Sequence, residues 1–399
     1  MTLTNTDTHF GSVTKGFHWL TALLILTLIP LGWIANQLPY TTDAELARKA
    51  WLFSLHKTLG VAAFFVASLR ILWALSQQKP GLLNADKKLE SFAAEIVHWT
   101  LYGALVIVPL SGWISHAAAA GFAPIWWPFG QDLPLVPKSI DVEHFFIALH
   151  LVSTKVLILS LVLHIGGAFK HHLIDRDGTL RRMLPGPVNI PRLDQPAHSR
   201  APFSGALLVW AVAVGIGALL ANSSPKESIA AIALEEVASD WAVTEGEIGL
   251  TVNQFGSDVA GSFADWTASI TFDETVTEGE AGSVTTTIAI PSLTLGSVTS
   301  QAMGADFFDA TTHPTAVFAA ALMRADAGYV AEGTLTIKET EVPITLPFSL
   351  NIEGDTATVQ AEVSLDRRDF GIGASVGDES SLRFGVDVAI TLTATRGAE

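Results

Sequence analysis

The chain has 399 residues, close to half of them apolar, and no cysteine. That length suits two or more domains with at least one in a membrane, and the missing thiols exclude disulfides, c-type haem attachment, thiolate nucleophiles and cysteine-ligated clusters or zinc. The net charge of −16 is unevenly spread: residues 1–200 carry 16 Lys+Arg against 12 Asp+Glu, and residues 201–399 carry 7 against 27, which argues against a nucleic-acid partner for the second half.

The first dozen residues are polar, and no small-residue cleavage site follows the first apolar run, so that run reads as a retained helix rather than a signal peptide. Apolar stretches lie at about 16–35, 52–75, 92–116, 144–170 and 202–221. Each is long enough to cross a hydrocarbon core of about 20 residues, and backbone groups without water partners require each to be helical. Lys79, Lys87 and Lys88, and then Lys170, Arg176, Arg181 and Arg182, place the 2–3 loop and the segment after the fourth helix on the cytoplasmic side. Arg48 and Lys49 in the 1–2 loop run mildly against this orientation. With five spans the expectation is a bacterial inner-membrane protein with its N-terminus inside and everything after about 222 in the periplasm. Residues 187–203, rich in proline and polar residues, read as a linker. The fifth helix, 204–221, contains no ionisable residue and reads as a plain anchor.

From about 238 the hydrophobic period changes to two, in segments such as SVTTTIAI, TATVQAEVSL and RFGVDVAITLTAT. This predicts an antiparallel all-β domain of about eight strands over 238–396, most simply a closed barrel. SVTSQAMGADFFD at 297–309 is expected to be helical. The domain offers no nucleophile–base pair, metal cluster or phosphate loop.

Among the histidines inside the apolar segments, four stand out: His18, His56, His150 and His164. An ionisable group in lipid is costly and needs a reason. His150 and His164 are fourteen residues apart on one helix, about 21 Å and nearly four turns, so both face one way near opposite surfaces. In the predicted topology His18 and His164 share the inner depth, and His56 and His150 the outer one. Two bis-histidine haems stacked across the bilayer is the economical reading, because imidazole is a good axial ligand and metal binding removes the cost of burying it charged.

The segments FHWL at 17–20, LHKTLG, VHWTLYGALVIVPLSGW, and ALH followed by LHIGGAFKHHLIDRDGTLRRMLPG resemble the bacterial cytochrome b561 family over residues 9–186. The resemblance implies a four-helix bundle with two b haems, exchanging electrons between the quinone pool and a periplasmic partner, with superoxide the donor for some members. It maps the four ligands onto His18, His56, His150 and His164. His98 is a candidate for a quinone pocket or a haem propionate, or for an ordinary helix–helix hydrogen bond. His171 is a candidate quinone partner or a plain interfacial residue. Lys57 is placed to meet a propionate or an anionic reductant, or to snorkel to the headgroups, and Lys155 is expected to face the bundle, against a propionate or a proton path.

In the second half, VAGSFADWTASITFDE, GADFFDATTHPTAVF, EGTLTIKETEVPITLPFSL and SLDRRDFGIG resemble the YceI family. That likeness implies a lipocalin-like barrel enclosing an isoprenoid lipid or quinone tail. Glu247 and the turn KETEVP depart from the family's usual pattern. Phe255, Phe263, Trp266, Phe307, Phe308 and Phe318 are candidates for lining the cavity, or for plain core packing. A quinone-linked oxidoreductase is the first functional expectation. An isoprenoid carrier whose haem bundle anchors or senses is the second.

Overall fold

A computed structural model describes residues 2–39, 42–84, 86–119, 123–186, 190, 199–223, 234, 237–325 and 328–397. The chain divides into two compact units, Met1–Leu38 with Trp51–Ala119 and Ile125–Ser224, and Pro39–Ala50 with Ala120–Pro124 and Pro225–Glu399.

The apolar stretches become α1 (Ser12–Gln37), α2 (Asp43–Leu75), α3 (Lys88–Ala118), α4 (Ile140–Lys170) and α5 (Ala201–Ser223), each long and apolar enough to cross a membrane. Local chemistry sets the ends of α4. The Ser139 side chain accepts from the Val142 N–H, and Asp141 and Glu143 occupy the first turn, where the helix dipole favours acids. At the other end a π-helical turn, His171–Asp175, closes on Arg176, whose left-handed φ of 55° lets its N–H reach the His171 carbonyl.

The fifth helix is more than a tether. It packs against α3 and α4, and Trp210 and Ala213 join Ala104 and Leu157 in one buried cluster. A Cβ at Gly103 would lie 2.2 Å from the Trp210 indole nitrogen, so only glycine admits the ring. The helix's lack of polar residues concealed this contact, because small residues on one face leave no mark in hydropathy. Of the 187–203 linker, residues 187–189 and 191–198 lie outside the described residues, and 201–203 already belong to α5.

The second unit holds ten antiparallel strands where about eight were expected. They are β1 (Trp241–Gln254), β2 (Ser257–Phe263), β3 (Trp266–Phe272), β4 (Gly279–Ala289), β5 (Leu293–Thr294), β6 (Thr315–Ala325), β7 (Gly328–Ile337), β8 (Thr340–Glu353), β9 (Thr356–Asp366) and β10 (Gly385–Arg396). The added strands come from a tight turn at Phe255–Gly256, which splits one apolar run into β1 and β2, and from the two-residue β5. The sheet runs β3-β4-β6-β7-β8-β9-β10-β1-β2-β5 and curls until the Asp240 N–H, just before β1, reaches the Ile270 carbonyl on β3 at 3.0 Å. This is an antiparallel lipocalin-like barrel. Alternate residues turn inward, as with Ala320, Leu322, Ala331, Leu346 and Ala361, which form one buried cluster. Of the segment 297–309, only Thr299–Ala302 is helical (α6); the glycine and aspartates that follow form turns.

Two barrel details bear on stability. The β7–β8 hairpin turns on Lys338 and Glu339, both left-handed, with φ of 51° and 65°. Arg367, 4% exposed, spreads its guanidinium over the backbone carbonyls of Ile372, Gly373, Val376, Leu382 and Arg383, fixing the segment between β9 and β10.

Candidate functional site

The His56–His150 pair is built by the same device used twice. The Nδ1–H of His56, on α2, donates to the Leu28 carbonyl of α1 at 3.1 Å. The Nδ1–H of His150, on α4, donates to the Val108 carbonyl of α3 at 2.8 Å. A carbonyl can only accept, so each bond fixes the tautomer and leaves Nε2 as a free lone pair. Each imidazole also rests in a cradle that a side chain would fill. A Cβ on Gly32 would come within 2.7 Å of His56, and one on Gly112 within 3.0 Å of His150.

Charged groups surround this pair. Lys57 and Glu143 are both buried, 7% and 8% exposed, and interact electrostatically. Lys57 is therefore turned inward beside a carboxylate and does not snorkel to the headgroups. His116, in the last turn of α3, lies within electrostatic reach of Lys57, His150 and His56.

The second pair is His18 on α1 and His164 on α4, with ring centroids 6.2 Å apart. Two metal–nitrogen bonds of about 2 Å each, plus the imidazole radii, come to roughly that spacing. The Nδ1 of His18 is buried and has no hydrogen-bond partner among the described residues. His98 meets His164 edge to face at 5.1 Å, too close to admit an atom between the rings. One turn along α3 from His98, Tyr102 lies under the Arg70 guanidinium at 5.6 Å. Arg70 also acts electrostatically on His18, His164 and His98.

The other candidates fall elsewhere. His171 is held among carboxylates, its Nδ1 on Asp177 at 2.6 Å and its Nε2 on Glu90 at 3.2 Å, with Lys170 bridging Glu90 and Asp175. Lys155 is exposed and does not face the bundle interior. Five residues separate it from His150, an advance of about 140° beyond a full turn, which carries it off the histidine face.

In the barrel, a cavity of about 210 Å³ is lined by Phe263, Trp266, Phe307, Phe308 and Phe318 with aliphatic neighbours. Phe255 is not among them; its left-handed backbone at the β1–β2 turn directs it to the cluster around Val376 and Leu382. The polar groups on the cavity wall include Arg367, already engaged by carbonyls, Gln254 and Gln301. Outside the membrane segments, the hydrogen bond from the Arg368 side chain holds the Asp366 carboxyl below its ordinary range.

Arg70, His116 and Glu143 escaped the reading of the sequence, although it carries a signal for the first. The run His18-Trp19 … Gly32-Trp33 reappears as His98-Trp99 … Gly112-Trp113 with identical spacing, and a proline precedes the glycine by two residues in the first copy and by three in the second. Leu28 and Val108, the two carbonyl acceptors, hold matching places, ten residues after His18 and His98. Leu55-His56 on α2 and Leu149-His150 on α4 continue the correspondence. The bundle is an internal repeat of two helix pairs.

The family model for prokaryotic cytochrome b561 matches residues 9–186, and that for the YceI-like domain matches 241–394. The Escherichia coli K12 protein described as cytochrome b561 homolog 2 is 31% identical over 186 residues, 46% of this chain and 95% of that protein. The chain belongs to the prokaryotic cytochrome b561 family. A second b561-like relative, from Yersinia pestis and described as probable superoxide oxidase CybB, is 26% identical over 43% of this chain and 92% of its own length. Among solved structures, Burkholderia cenocepacia BcnA is 29% identical, covering 38% of this chain and 96% of its own with a TM-score of 0.36. The Campylobacter jejuni YCEI protein is 18% identical, covering 44% and 98%, with a TM-score of 0.32. As a cytochrome b561 the bundle implies haem b, and the cradled histidines with free Nε2 lone pairs fit that group.

Proposed function

We propose that the chain is an inner-membrane dihaem cytochrome that passes electrons between a periplasmic donor and the quinone pool, with a periplasmic barrel that binds an isoprenoid lipid or quinone. The observation that carries this reading is the repeated imidazole lock: His56 and His150 each present a fixed lone pair, one from each half of the repeat. His18 on α1 and His164, fourteen residues along α4 from His150, supply the second pair. The four histidines would hold two b haems, whose iron supplies one-electron chemistry.

The protein's own part is binding, orientation and electrostatics. The Leu28 and Val108 carbonyls orient two imidazoles and raise their basicity. Lys57 lies within electrostatic reach of His56 and offers a basic group beside the outer pair, suited to an anionic donor, and superoxide is the donor to test first. The His171–Glu90 contact ties the turn after α4 to α3 at the opposite end, where a quinone headgroup would meet the bundle. The apolar cavity favours a hydrocarbon tail over a polar metabolite.

The test is a reduced-minus-oxidised visible spectrum with a pyridine haemochrome count, followed by quinone reduction assays. About two b haems per chain and electron exchange with a quinone or quinol are expected. Protein made with ample haem supply and still free of haem would overturn the reading, leaving lipid carriage by the barrel as the function.

A further inference from the structure

The internal repeat assigns a counterpart to every haem-pair histidine. His18 corresponds to His98, and His56 to His150, so the His56–His150 pair joins equivalent positions of the two halves. His164 lies fourteen residues after His150; the residue fourteen after His56 is Arg70. The counterpart of the His18–His164 pair is thus His98 with Arg70, a set that contains a fixed cation where the other has a ligand. Fourteen residues is nearly four turns, so Arg70 shares the His56 face of α2, as His164 shares the His150 face of α4.

This cation is expensive. It lies within a helix long and apolar enough to span a membrane, and among the described residues no carboxylate forms an ion pair with it. It hydrogen-bonds the Tyr102 side chain and lies 5.6 Å from that ring, one turn from His98, which in turn touches His164 at 5.1 Å. Intramembrane charges persist where a partner neutralises them. A b haem carries two carboxylates, and a planar guanidinium matches a carboxylate fork better than any other side chain.

We propose that Arg70 holds a carboxylate of the haem bound between His18 and His164, and that it occupies the ligand position of the other half of the repeat. The inference rests on the dihaem reading above. It makes Arg70 a positioning residue that raises the reduction potential of that haem, since a nearby positive charge disfavours the more positive ferric state.

The test uses the full chain in a His56→Ala background, which leaves the His18–His164 haem alone. Adding Arg70→Gln is expected to keep one haem per chain and to shift its midpoint potential downward. Arg70→Lys, which keeps the charge and loses the fork, should give a smaller shift. It should also move the propionate bending band in the resonance Raman spectrum, a readout that remains if the glutamine variant fails to assemble. An unmoved midpoint in Arg70→Gln, or an unmoved propionate band in Arg70→Lys, would overturn the proposal. Fewer than two haems in the unmodified chain would instead overturn the dihaem reading.

Discussion

The bundle and the barrel treat burial in opposite ways. In the bundle the informative residues are polar exceptions to an apolar rule: histidines whose Nδ1–H groups are satisfied by carbonyls of a neighbouring helix, a lysine beside a glutamate, an arginine over a tyrosine. In the barrel the interior is apolar, and its buried cation is consumed by the backbone. The bundle therefore stores its chemistry in side chains, whereas the barrel stores its capacity in a shape. A single substitution should remove a defined chemical unit from the first and change only stability or volume in the second.

The sharpest way to break this contrast is His56→Ala against His164→Ala. Each is expected to remove one of two haems, counted as pyridine haemochrome, while the thermal transition of the barrel stays in place. A barrel transition that moved with either variant would mean the halves are not independent. Next in size, Arg367→Met should destabilise the barrel by about 3–5 kcal/mol, because several carbonyls lose their charged donor at once. Arg367→Lys should recover only part of this, having fewer donors and no fork. Denaturant titration of the full chain, with haem absorbance followed in parallel, would show the loss confined to the barrel. Gly103→Leu should push Trp210 out of its slot and cost about 1–3 kcal/mol as overpacking, seen as earlier thermal loss of the haem band. Glu339→Gly should stabilise the β7–β8 hairpin by about 1 kcal/mol, since glycine tolerates a φ of 65° that costs other residues.

The smallest effect is a pH dependence. The folded Asp366 carboxyl lies below its ordinary range because of its hydrogen bond from Arg368, so its contribution is present above the unfolded value near 4. That contribution is lost as pH falls through the lower folded value. Asp366→Asn should flatten this part of the acid limb and leave neutral stability slightly reduced, measured by melting temperature against pH.

Much of this was legible in the sequence, for uneven reasons. The five spans and the four histidines announced themselves because charge in lipid is rare. The β period of two gave the barrel, but the turn at Phe255–Gly256 and the short β5 carry too few residues to show a period, so the strand count was low. Lys155 was misplaced by taking five residues for one turn. Arg70 was not singled out, although its spacing from His56 repeats that of His164 from His150. Cavity lining could be anticipated for five aromatics and not for Phe255, whose direction depends on a left-handed backbone that composition does not reveal.

The seating of Trp210 against Gly103 has a kinetic meaning. A soluble carrier meets its membrane partner in a second-order encounter, at a rate that rises and falls with the amount of carrier made. Here α5 is locked into the bundle wall, and the strands of the barrel follow it on the same chain. For any ligand that both halves handle, transfer becomes a first-order event with its own fixed rate. The turnover of each molecule would then not depend on how much of the protein a cell makes.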